Sequence, residues 1–113
     1  MTSQQRASER IIEEVTSWPG VSAGRGDRGE LSIKVGGREI GHLHGDHAAH
    51  FGFPKRLGTE LRGQGRVGPH PVRPDHPGWA ARRIEGDADV SEVIELLRLN
   101  YQRAGAREAA TSD

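Results

Sequence analysis

Two glycine-containing dipeptides, Gly36-Gly37 and Gly45-Asp46, bracket the segment Arg38–His44 and leave little freedom in how the middle of this chain pairs with itself. Gly36-Gly37 supplies the positive φ angles of a two-residue hairpin turn, which sets Val35 opposite Arg38. The same register puts Ile33 opposite Ile40, Leu31 opposite His42, and Lys34 opposite Glu39 on the reverse face. Gly45-Asp46 suits a second two-residue turn with glycine first, pairing His44 with His47, His42 with Ala49, Ile40 with Phe51 and Arg38 with Phe53. Leu31, Ile33, Val35, Ile40, Phe51 and Phe53 then share one face of a three-stranded meander, and His42, His44 and His47 project from that same core face while His50 points away. A slip of one residue in either hairpin would destroy the pattern.

The flanks read as helices. Ala7, Ile11, Val15 and Trp18 recur at helical spacing, predicting a helix over 3–17 that stops because Pro19 disfavours the α conformation at Trp18. Residues 21–26 form a weak strand, with a turn at Asp27-Arg28-Gly29. Pro54 suits a first helical position, and Leu57 and Leu61 make a short stripe, although Gly58 and Gly63 each cost about 1 kcal/mol relative to Ala. Prolines 69, 71, 74 and 77 make residues 65–78 an extended loop. A last strand runs over 79–84. Asp89 with Glu92 resembles a capping box ahead of the stripe Val90, Val93, Ile94, Leu97 and Tyr101, with Gly105 ending the helix. The fold class is therefore α+β, an antiparallel β-meander with helices on one face, in the order α-β-β-β-α-β-α. Residues 1–105 are expected to form a single domain and 106–113 a disordered tail.

Composition narrows the chemistry. With no cysteine among 113 residues there is no thiolate nucleophile, disulfide or Cys-ligated zinc, so histidine must carry any metal chemistry. Net charge is zero, so no global field draws the chain to nucleic acid or membrane. Locally, Lys55, Arg56, Arg62, Arg66, Arg73, Arg82 and Arg83 face only Glu60 and Asp75, a candidate basic patch. No apolar run approaches the roughly 18 residues of a membrane span, and the amino terminus has no apolar signal core. The expected location is the cytoplasm, with no membrane association.

Four of the six histidines fall between Gly41 and His50. By the registers above, His42, His44 and His47 offer three imidazoles to a divalent metal such as zinc, iron or copper, leaving a position open for water. The plainer reading is a rim of half-buried imidazoles satisfied by neighbouring polar groups. A second group, His70, Arg73, Asp75 and His76, precedes Trp79 on the proline-rich loop, where Arg73 can bind an anion and Trp79 can wall a pocket. The plainer reading there is a rigid connector. Arg38 is a further anion clamp or a snorkelling strand-end side chain. No serine lies in a nucleophile-elbow context, and Gly24–Gly29 lacks the strand and helix that a phosphate loop needs.

The string Gly37-Arg38-Glu39-Ile40-Gly41-His42-Leu43-His44-Gly45, with Phe53-Pro54, Gly65-Arg66, His70, Pro74-Asp75, Gly78-Trp79 and Leu96-Leu97-Arg98-Leu99-Asn100-Tyr101, resembles the small bacterial and fungal luciferase-domain family. The resemblance runs from Trp18-Pro19-Gly20 to Tyr101, and Gly-His-Leu-His-Gly is its most specific part. It marks His42, His44, His70, Asp75 and Trp79 as family-pattern positions and assigns none of them a role. The family's name does not establish light emission, and the chain is far shorter than the about 250 residues of a barrel enzyme. His76-Pro77 departs from the pattern as a one-residue expansion, and Ala80-Ala81-Arg82-Arg83 stands where a more apolar strand is expected.

Three functions follow as expectations. The first is a binding or accessory domain that holds a small-molecule or protein ligand through His42, His44, His70, Arg73, Asp75 and Trp79. The second is a metal-assisted hydrolytic or oxidative enzyme with His42, His44 and His47 as ligands and Asp46 or Asp75 as proton acceptor. The third is weak nucleic-acid contact through the arginine-rich middle.

Overall fold

A computed structural model describes residues 5–111, with side-chain surroundings through residue 105. Its elements, in chain order, are α1 (Ala7–Val15), β1 (Val21–Arg25), β2 (Leu31–Val35), β3 (Arg38–His44), β4 (Ala48–Gly52), α2 (Lys55–Gly63), β5 (Gly68–Pro69), β6 (Trp79–Arg83) and α3 (Asp87–Thr111). The strands form one antiparallel sheet in the order β1-β2-β3-β4-β6-β5. The architecture is α+β, as the sequence predicts. The weak segment after Gly20 is paired along its whole length with β2, and the proline-rich loop contributes the two-residue β5 at the opposite edge.

One core lies between the sheet and the helices. Ile11 and Val15 from α1, Leu61 from α2, and Val90, Val93, Leu96 and Leu97 from α3 pack with Ile33, Ile40, Leu43, Ala49, Phe51, Phe53 and Ala80. Ile33 and Phe51 therefore do share a face. The other face of the sheet carries no helix among the described residues, and the site is built there.

Gly36 and Gly37 have φ angles of 56° and 81°, the double left-handed geometry of the predicted turn. Lys34 pairs with Glu39 and Val35 with Arg38 as the turn dictates. Beyond that point the register shifts: Ile33 faces Gly41, Ser32 faces His42 and Leu31 faces Leu43. Ile40 is an extra residue on β3, a β-bulge, and it corrects the expected pairing. The cause lies in packing. Ile40, Gly41 and Leu43 are all buried, and a Cβ at Gly41 would stand 2.6 Å from the Leu97 side chain of α3. The bulge lets both Ile40 and Leu43 reach the core where strict alternation would bury only one of them.

The second hairpin also differs. His44 pairs with Ala48, Leu43 with Ala49 and His42 with His50, so Gly45-Asp46-His47 is a three-residue connection. Phe53 joins the core without facing Arg38, its backbone N–H donating to Gly78 O at 2.7 Å.

Helix boundaries move as well. α1 begins at Ala7 and ends at Val15, with residues 5 and 6 of the expected helix lying ahead of it; residues 3 and 4 lie outside the described residues. α3 begins at Asp87, and Asp89 and Glu92 do not cap each other: Asp89 accepts the Glu85 N–H at 2.8 Å, and Glu92 accepts Arg66 Nε at 2.6 Å. α3 also continues through Gly105 to Thr111. Within the expected tail, residues 112 and 113 lie outside the described residues.

Candidate functional site on the open sheet face

The bulge decides where the histidines go. In a regular strand, residues three apart point to opposite faces; the extra residue at Ile40 returns Glu39 and His42 to the same one. His42 and His44 thus leave the core face expected for them and join His50 on the open face. His47 is exposed in the connection. The ligating nitrogens of His42, His44 and His50 all lie within 4.8 Å of one another, so the imidazole that completes the trio is His50 and not His47. Ring centroids are 4.9 Å apart for His42–His44, 5.2 Å for His42–His50 and 4.2 Å for His44–His50.

His70 enters from the loop after β5. Because β5 pairs with β6 and β6 with β4, the loop leaves the sheet beside His50, and the two rings lie 4.4 Å apart. The loop is held from below by α2: Arg62 donates to the carbonyl oxygens of Pro74, His76 and Trp79. Gly58 has a role its helix propensity does not suggest, since a Cβ there would fall 1.9 Å from the Pro77 carbonyl oxygen. Trp79 faces the same side as His50 and stands 5.2 Å from the His70 ring, with the Arg73 guanidinium carbon 5.1 Å above the indole.

These side chains line a recess of about 320 Å³ whose far wall is the β1–β2 turn, with Asp27, Arg28 and Glu30. Of the positions singled out in the sequence, His42, His44, His70 and Trp79 line it and Arg73 borders it through Trp79. Asp75 is exposed on the loop and is not part of the lining. Asp46 is committed elsewhere, its carboxylate accepting the Ser8 hydroxyl at 2.6 Å and the Ser8 N–H at 2.9 Å to cap α1.

Burial disfavours the charged form of three of the imidazoles. Burial pushes the His50 pKa down to about 4, helped by repulsion from His44, His70 and His42. Burial likewise lowers His44 and His70, with repulsion from neighbouring imidazoles adding to it. Glu39 is held below the usual carboxylate range first by its hydrogen bond to His42, against an opposing effect of burial. An ionised carboxylate only accepts. Its contact with His42 Nδ1 at 3.0 Å, with Ser32 Oγ donating to the other oxygen at 2.6 Å, therefore makes Nδ1 the donor, so that any lone pair His42 offers is on Nε2. His50 Nδ1 is buried without a hydrogen-bond partner among the described residues.

The basic patch is largely consumed within the fold. Arg66 pairs with Glu92, Arg82 with Asp89 at 2.5 Å, Arg62 holds the loop, and Arg73 lies on Trp79.

Several residues around the recess are not among the candidates that the sequence offers. His50 had been assigned to the correct face but separated from its partners by the missing bulge. Glu39 was masked by the same error. On the far wall, Asp27 and Arg28 figure in the sequence only as turn residues, and Glu30 beside them has no expected role. One usable signal was present: His70 and His76 are each followed by proline, and each ring accepts the N–H two residues ahead at 3.1 Å.

The family model described as Luciferase domain matches residues 37–100. The chain belongs to the Luciferase domain family. The matched span begins at the second glycine of the first turn and ends at Asn100, so it contains the bulge, all four imidazoles, Glu39 and Trp79. The β1–β2 turn, the recess's far wall, lies outside it. No curated protein and no solved structure matches the chain. No described helix is long and apolar enough to cross a membrane.

Proposed function

We propose that this member of the Luciferase domain family is a small-ligand-binding domain whose recess holds a divalent transition-metal ion on His42, His44 and His50. The observation that carries the reading is the mutual approach of three imidazole nitrogens to within 4.8 Å on a face that the packing elements leave open. Tetrahedral zinc with nitrogen ligands at about 2.0–2.1 Å needs them roughly 3.4 Å apart. Rotamer adjustments of about an ångström, small for side chains on paired strands, close that difference.

Three further features agree with a metal. Burial keeps His44 and His50 neutral, the ligating form. Glu39 orients His42 in the manner of a carboxylate behind a ligating imidazole. His50 Nδ1 has no hydrogen-bond partner among the described residues, a cost of about 1–3 kcal/mol that coordination through that nitrogen would offset. Three protein ligands leave one coordination position for a small molecule. The chain has no cysteine, so nothing in it depends on an oxidising compartment, and the same proposal takes the cytoplasm as its place of work.

The test is Co²⁺ and Zn²⁺ titration of tag-free protein, read by visible absorption and by competition with a chelator. One ion per chain is expected, with binding lost in His42→Ala, His44→Ala or His50→Ala and kept in His47→Ala. Absence of binding, or its loss in His47→Ala alone, defeats the proposal.

A further inference from the structure

The four imidazoles of the recess differ in what they can offer. His42 Nδ1 donates to Glu39 and leaves an acceptor nitrogen free. His70 is arranged the opposite way: its Nδ1 accepts the backbone N–H of Val72 at 3.1 Å. Pro71 has no N–H of its own, so the ring takes the next one along. His76 repeats the arrangement with Gly78, also across a proline, which makes it a property of the His-Pro-X segment. A neutral imidazole whose Nδ1 accepts carries its proton on Nε2. His70 therefore has no free lone pair for a metal and presents an N–H to its surroundings, in a ring 4.4 Å from that of His50 and packed against Trp79 on its other side.

We infer that His70 is a positioning hydrogen-bond donor for a small monoanion, a carboxylate or its equivalent, bound at the coordination position that His42, His44 and His50 leave open. This rests on the metal reading above. A dication on three neutral imidazoles keeps its charge at the open position; Glu39 lies behind His42, and on the far wall Asp27 and Glu30 are offset in part by Arg28, so it is the ion itself, in direct contact, that favours an anionic fourth ligand. A donor fixed by the backbone then adds a hydrogen bond that needs no reorganisation on binding. Arg73, lying over Trp79, adds positive charge at the rim on the same side.

The experiment uses the full chain loaded with Co²⁺ and titrated with azide, followed by the shift in its visible absorption. In His70→Phe, which keeps a ring but no donor, Co²⁺ affinity should stay within about threefold of the parent, while azide affinity falls about tenfold or more, the scale of a hydrogen bond to a charged group. His70→Gln, which keeps an N–H, should recover most of that loss. Nitrogen-15 shifts of the unsubstituted protein give an answer that does not depend on either variant folding: His70 should be protonated at Nε2 and bare at Nδ1. The opposite tautomer, an azide affinity unchanged in His70→Phe, or loss of Co²⁺ from that variant would each overturn the inference. Failure of the parent to bind Co²⁺ removes the metal reading and this one together, whereas Co²⁺ binding with unchanged azide affinity removes this one alone.

Discussion

Glu39 decides which nitrogen of His42 is free. Its ionised carboxylate, supported by Ser32, takes the proton side of the ring and turns the lone pair away from itself. Removing a carboxylate behind a metal-ligating imidazole typically lowers metal affinity 10- to 100-fold, so Glu39→Ala should weaken Co²⁺ binding by about that factor in a chelator competition. Its thermal midpoint should change little, because the side chain is partly exposed. An unchanged affinity would mean that His42 does not ligate. At this scale the sequence was only half legible. The residue types were visible and the density of histidine pointed to the right stretch, yet which imidazoles share a face depends on one inserted residue, for which the strand-interior Gly41 was a local cue without a position.

At the level of elements, the bulge on β3 and the loop over α2 position the site, and each is held by a specific contact. Buried Asn100 on α3 donates to the carbonyl oxygens of Ile40 and Gly52, both at 3.1 Å, so it satisfies the bulged residue itself. Asn100→Leu leaves those acceptors unpaired and should cost about 1–3 kcal/mol in chemical denaturation. The His42 ring should lose its fixed relation to Glu39 in the same variant, seen as altered imidazole shifts. Gly58 gives a prediction whose sign separates two effects. Helix propensity alone makes Gly58→Ala stabilising by about 1 kcal/mol, but the new methyl would overlap the Pro77 carbonyl. Overpacking of that kind costs about 1–3 kcal/mol, so net destabilisation is expected, and a rise in thermal midpoint would show that the loop does not lie on α2 as described.

Across the whole molecule, charge is used to fasten elements together. Hydrogen bonds from the Ser8 hydroxyl and N–H hold Asp46 below the usual carboxylate range, and the Glu85 N–H followed by Arg82 does the same for Asp89. A depressed folded-state pKa means that the stabilisation is fully present above the unfolded value, near 4, and is lost as pH falls through the folded value. Thermal midpoints should therefore drop below about pH 4, with a shallower drop in Asp46→Asn and Asp89→Asn; an equal slope in all three would contradict the assignment. The paired arginines lead to a second expectation. Single-stranded oligonucleotide should not bind with the steep salt dependence of phosphate neutralisation, and a steep slope would show that the patch is freer than its ion pairs imply. By itself the sequence determined the α+β class, the first turn, the helical stripes and the family, because these rest on local φ preferences and on the period of apolar residues. Only the tertiary structure decided the bulge, the union of His50 with His42 and His44, the withdrawal of Asp46 and the approach of His70. Each of those depends on what α3, α1 or β6 presses against a strand, and contacts between residues distant in the chain leave no periodicity to read.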